Sequence, residues 1–264
     1  MSNVSVVLAC VAALLATAVL AVLLRSRSAL AGAVVYSACL AASLVILAAA
    51  GAQLLDGAAL AGEIRLPLGL PWIGARFRLD FLSCFFLAVI NLGAALASLY
   101  ALGYGRHEEA PERVLPFYPA FLAGMNLVLL AADAFSFLFA WEFMSLTSWA
   151  LVMAHHKDGE NRRAGYIYLV MASFGTLALL LAFGLLAGSA GGYAFADMRN
   201  VPHAAWLPGL VLILALLGAG SKAGLVPLHV WLPLAHPAAP SHVSALMSGV
   251  MTKVAIYGFI RIAF

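Results

Sequence analysis

Three ionisable residues stand in stretches that are otherwise too apolar to carry charge: Glu142 in "FAWEFMSLTSWALV", Lys222 in "GAGSKAGLVPLHVWLPLAHP" and Lys253 in "MTKVAIYGF". A charged side chain near the centre of a bilayer costs about 2.5–3.5 kcal/mol on insertion scales, so each needs a partner or a function. Glu142 and Lys222 read in two ways, as a structural ion pair or as part of an ion or proton path. One carboxylate neutralises one ammonium, so Lys253 is left over, and that favours the path. Burial favours the neutral amine and a nearby carboxylate the ammonium, so a lysine with a movable partner can exchange protons.

Histidines cluster in the same region as Lys222: His229, His236 and His242. A metal or haem site needs converging ligands, yet no Cys, Asp or Glu lies among them, and the intervening prolines exclude a continuous ligand-bearing helix. His229 and His242 are read as candidate proton relays, with satisfied structural histidines as the other reading. His155 and His156, in "AHHKDGENRR", read as a solvated turn without chemistry. Asp80 and Asp133 fall at expected helix starts, where a carboxylate caps free amides. Cys10, Cys39 and Cys84 share no C-x-x-C spacing and read as small packing residues, so no disulfide or metal is expected. Phosphate-binding, serine-hydrolase, zinc-protease and iron–sulfur signatures are all absent, so redox or hydrolytic chemistry has to come from elsewhere.

These residues need elements to hold them. The chain of 264 residues is 65% hydrophobic and 9% charged, a balance that excludes a soluble domain and implies an integral membrane protein. A formal charge of +3 with scattered basic residues excludes nucleic-acid binding. At roughly 20 apolar residues per crossing, about eight spans are expected, at 4–24, 29–52, 80–103, 116–132, 134–154, 164–187, 208–234 and 241–264. The first has no basic residue before Arg25 and reads as a retained span rather than a cleaved signal. Glu142, Lys222 and Lys253 then come out about 12, 20 and 18 Å into the fifth, seventh and eighth spans, at similar middle depth.

Pro227, Pro233, Pro237 and Pro240 predict that the seventh span is broken, and Gly218, Gly220 and Gly224 beside Lys222 predict flexibility or close packing. The segment at about 54–79 reads as an extramembrane hairpin. Numbered alternately, one set of connections collects Arg25, Arg27, Arg106, Arg113, Lys157, Arg162 and Arg163, and the other Arg65, Arg76, Arg78 and Arg199. The positive-inside rule puts the first set in the cytoplasm and the N-terminus outside. The last span runs to Phe264 without a polar tail, as expected of a piece of a longer protein.

"FAWEFMSLTSWALV", "GYIYLVMASFGTLALLLAFGLL" and "GAGSKAGLVPLHVWLPLAHPAAPSHVSALMSGVMTKVAIYGFIRI" occur in order over roughly residues 80–264. They resemble the antiporter-like proton-translocating subunits of complex I and membrane-bound hydrogenases, most of all the large antiporter-like subunit of hydrogenase-4 and formate hydrogenlyase complexes. The resemblance implies an all-α membrane fold with N-terminal helices over 1–115 and a first five-helix repeat over 116–264. The family's second repeat is absent from these residues, which would leave an input half-channel and the central charges. It also implies that Glu142 on the fifth helix pairs with Lys222 on the broken seventh and that Lys253 passes protons toward the centre. Other membrane subunits and peripheral hydrogenase or dehydrogenase subunits would be the partners, in the cell inner membrane, and the chain would carry no cofactor. A subunit of a multi-protein Na+/H+ antiporter and an inert scaffold are the rival readings.

Overall fold

The computed structural model describes residues 2–24, 28–56, 60–67, 69, 74–188 and 192–263. Arg25 and Arg27, used above for topology, lie outside the described residues. Among the described residues, eight helical stretches are long and apolar enough to cross a membrane. They comprise α1 (Asn3–Leu23), α2 (Ser28–Asp56), α3 (Phe81–Tyr104), α4 (Pro111–Val114) with α5 (Phe117–Leu130), α6 (Ala134–Val152), α7 (Gly159–Ala187), and two interrupted spans described below; a short α8 (Phe195–Arg199) follows α7. The second span runs on to Asp56, so the antiparallel hairpin of β1 (Leu60–Leu66) and β2 (Ala75–Asp80) starts later than position 54.

Polar residues set several helix starts. Asp80 accepts from the Ser83 amide at 2.9 Å and Asp133 from the Ser136 amide at 2.7 Å, so both carboxylates cap as the sequence suggests. Asp133 also accepts the Arg76 amide at 2.8 Å and so ties the hairpin to α6. Isolated bridges of Phe77 to Ala131 and of Asp133 to Ala194 gather the hairpin and the connections before α6 and α8 on one face. On another, Arg113 Nη1 lies 2.6 Å from His156 Nδ1, joining the connections before α5 and after α6.

The seventh span is broken. Its first part, α9 (Leu207–Ala223), ends at Gly224, whose φ of 79° is left-handed and suits glycine. A 3-10 turn (Leu228–Trp231) and α10 (Leu232–Ala238) complete the span. The break is closed internally: the Leu225 amide donates to Gly220 O at 2.9 Å, and Trp231 Nε1 donates to Ser221 O at 2.7 Å. Backbone groups freed by a break at membrane depth need such partners.

The eighth span is interrupted too. Between α11 (Ser241–Leu246) and α12 (Thr252–Ala263) the chain makes a π-turn over Met247–Met251. Inserted turns of this kind loosen the carbonyl ladder and recur at functional sites.

Candidate functional site

Lys222 lies in the last turn of α9, where a cation suits the negative end of the helix dipole. Although it is only 3% exposed, no carboxylate lies within 4.0 Å of it among the described residues. Its Nζ instead donates to Tyr168 Oη at 2.9 Å. That hydroxyl also lies 2.6 Å from Ser148 Oγ and 3.7 Å from Met251 Sδ. Tyr168 therefore joins α6, α7, α9 and the π-turn, and its ring packs edge-on against Trp231 at 5.0 Å.

Close helix packing sets this junction. A Cβ on Gly218 would stand 2.8 Å from Gly175 O, and one on Gly175 would stand 2.9 Å from Gly218 O. Only glycine at both positions lets α7 and α9 approach so closely, one turn of α9 before Lys222. Gly218 is thus a packing residue and Gly224 a left-handed cap, which resolves the two roles that the sequence leaves open for the glycine series.

Glu142 sits half-buried on α6, with no hydrogen bond or ion pair within 4.0 Å among the described residues. The direct Glu142–Lys222 pair expected from the resemblance is not formed here. The Lys222 ammonium is held instead by Tyr168, and the neighbouring Ser221 Oγ donates to the Met171 carbonyl on α7 at 2.9 Å.

Lys253, half-buried at the start of α12, finds its partners in the π-turn. Its Nζ donates to Ser248 O at 3.3 Å and lies 3.3 Å from Thr252 Oγ1, while Thr252 Oγ1 donates to the same carbonyl at 2.8 Å. The interruption presents a backbone carbonyl to the ammonium at membrane depth, and no acid is needed for that contact.

The two relay histidines differ. His229 is exposed in the 3-10 turn after the break, whereas His242, near the start of α11, is 1% exposed with its Nε2 3.2 Å from Tyr36 Oη. His236 Nδ1 lies 2.9 Å from Ser244 Oγ, a local link between α10 and α11. Among the described residues no group of three or more His, Cys, Asp or Glu could hold a metal ion.

Sequence reasoning missed Tyr168 and Ser148, because a tyrosine and a serine in apolar helices carry no charge to reveal them. The signal available was the tyrosine's depth, about 13 Å along α7 at 1.5 Å per residue, where a phenolic hydroxyl needs a partner. It also missed the role of Arg261, which donates to both Asp80 oxygens, at 2.7 and 2.8 Å, and to Tyr257 and Ser83.

The buried lysine at a helix break, the lysine held by the π-turn and the buried histidine all lie in the second half of the chain. The family described as NADH:quinone oxidoreductase/Mrp antiporter, TM matches residues 131–264, the half of the chain that carries all of these features. The chain belongs to this family. Hydrogenase-4 component B of Escherichia coli (strain K12) is 43% identical over 188 residues, covering 70% of this chain and 28% of that protein. NADH-quinone oxidoreductase subunit N of Desulfovibrio desulfuricans is 31% identical over 219 residues, covering 76% of this chain and 42% of that protein. Among solved structures, the Mrp complex from Dietzia sp. DQ12-45-1b matches 98% of this chain and 48% of that one, with a TM-score of 0.78 and 27% identity. The chain thus spans about half or less of the length of each relative. These relatives are, by their names, components or subunits of larger complexes.

Proposed function

We propose that this chain is a proton-translocating membrane subunit of a hydrogenase or complex I-like assembly, coupling redox chemistry in peripheral partner subunits to proton movement. Glu142, Lys222, Lys253, His229 and His242 carry the protons, and residues 116–264 act as the first antiporter-like repeat. The face carrying Arg106, Arg113, Lys157, Arg162 and Arg163 is cytoplasmic and the N-terminus lies outside, by the positive-inside rule. The observation that carries this reading is Lys222, buried at the end of an interrupted helix with no carboxylate beside it among the described residues and held by the hydroxyl and ring of Tyr168.

In this mechanism a displacement relayed from the partner subunits moves Glu142 toward or away from α9. When Glu142 is near, the Lys222 ammonium is favoured; when it withdraws, Lys222 releases a proton toward Lys253. Tyr168 fixes the Lys222 amine between these steps. Lys222→Met removes the titrating group and keeps an apolar chain of similar length, so transport should be lost while the subunit still assembles. Unchanged proton uptake in inverted vesicles carrying the full-length protein in its complex would overturn the assignment.

A secondary transporter is the second reading, favoured by the structural match to the Mrp complex. The higher identity to hydrogenase-4 component B supports the redox-coupled reading instead. Uptake that follows electron donor addition, rather than an imposed cation gradient, separates the two.

A further inference from the structure

His155 and Glu108 stand apart from the charges used so far. His155 Nε2 lies 2.8 Å from Glu108 Oε1, and the Glu108 side chain is 4% exposed against 32% for His155. The solvated turn expected at His155 therefore hands its imidazole to a buried carboxylate. Glu108 and Arg106 line a cavity of about 420 Å³ between α2, the end of α3 and the start of α4. Its inner end is lined by Tyr36 on α2, which is 2% exposed.

Tyr36 Oη in turn lies 3.2 Å from His242 Nε2, and His242 Nδ1 is buried with no protein partner among the described residues. His242 lines a second groove, of about 600 Å³, which runs between α3 and the eighth span to Gly249 and Val250 in the π-turn. Tyr36 faces one cavity and His242 the other, so the hydrogen bond between them crosses the wall that separates the two. The contact is held tightly. Tyr118 packs edge-on against Tyr36 at 5.3 Å and tilted against the His242 ring at 5.2 Å, and a Cβ on Gly105 would stand 2.5 Å from the Tyr36 ring. The neighbouring phenols are committed elsewhere, Tyr118 to Ser98 at 2.9 Å and Tyr104 to Ser241 at 3.2 Å.

We propose that His155, Glu108 and Tyr36 form the intake path by which protons reach His242 from the face that carries Arg106 and Arg113. This rests on the proton-translocation reading and adds a route to it through α2, outside the residues that the family match covers. His155 collects a proton at the surface and passes it to Glu108. Water in a polar cavity of this size can carry it on to Tyr36. As one O–H bond forms on Tyr36 Oη, the other breaks and its proton goes to His242 Nε2, so the phenol ends neutral. The imidazole then holds a proton on each ring nitrogen, and the intake path ends on His242. One proton enters at His155 and one is held on His242, and no electron moves.

The test measures proton uptake in inverted vesicles carrying the full-length subunit in its complex, normalised to assembled subunit. Tyr36→Phe keeps the ring and deletes the hydroxyl; Glu108→Gln deletes the carboxylate far from that ring packing. A positioned proton-transfer group is worth about 10²–10⁴-fold, so each variant should slow uptake at least about tenfold. Uptake within about twofold of the parent in either variant, while Lys222→Met blocks it, would overturn the path and leave the function standing. Uptake unaffected by Lys222→Met would overturn both.

Discussion

Arg261 and Lys222 are both buried cations in this fold, 9% and 3% exposed, and they are treated in opposite ways. Arg261 is gripped by both oxygens of Asp80, by Ser83 and by Tyr257, at distances of 2.7–3.0 Å. Lys222, among the described residues, has one hydroxyl at 2.9 Å. The first arrangement locks α12 to the start of α3 and leaves no lone pair to change hands. The second leaves a charge whose stability depends on what moves nearby. A buried charge in a membrane protein is therefore not by itself a transport residue, and the completeness of its partner set separates the two cases.

Breaking the locked pair should have the largest effect on folding. Asp80→Ala leaves the Arg261 guanidinium buried without its counter-ion and should cost about 3–5 kcal/mol, read as a lowered unfolding midpoint in detergent. The pH behaviour follows from the same contacts. Burial alone would raise the Asp80 carboxyl, but the hydrogen bonds and charge of Arg261, with the Ser83 amide, outweigh it and hold the group well below the usual carboxylate range. A lowered folded-state value means that the ionised carboxylate contributes its full stability above the unfolded value of ~4 and loses it only as pH falls through the lower one. The midpoint difference between parent and Asp80→Ala should accordingly stay constant from about pH 8 to about pH 5; a difference that shrinks in that window would show that Asp80 is not so held.

The Lys222 junction should respond less in stability and more in transport. Gly218→Val puts a β-branched side chain against Gly175 O and Leu179, where the gap is 2.8 Å or less. Overpacking of this kind costs about 1–3 kcal/mol, and by parting α7 from α9 it should also slow transport. Tyr168→Phe is the mildest change. It removes the shared hydroxyl, so Lys222 and Ser148 lose a partner at a cost of about 1 kcal/mol. Proton uptake should fall in Tyr168→Phe while the fold persists; unchanged uptake would show that the tyrosine only fills space.

The sequence made the spans legible because length and apolarity alone decide a crossing, and the eight stretches agree with the described helices to within a few residues except where α7 starts earlier and α2 and α10 run further. The broken seventh span was legible from its prolines. The π-turn was not, since "MSGVM" has no breaker beyond Gly249, and its signature lies in hydrogen-bond spacing rather than in residue type. Charge made Glu142, Lys222 and Lys253 visible in the sequence, but not their contacts: the lysines bind a phenol and a carbonyl, groups that occur in any helix. Tyr36 and Glu108 were invisible for a different reason. Their meaning comes from His242 and His155, which are distant in the chain and meet them only in the folded protein.

The most direct measurement is the unfolding midpoint and the proton uptake of Lys222→Met, side by side, in the full-length subunit within its complex. Because no carboxylate among the described residues pairs with Lys222 and would be stranded, the account predicts a midpoint equal to or above that of the parent, together with loss of uptake. A lowered midpoint with uptake intact would contradict it, placing Lys222 with Arg261 among the structural charges.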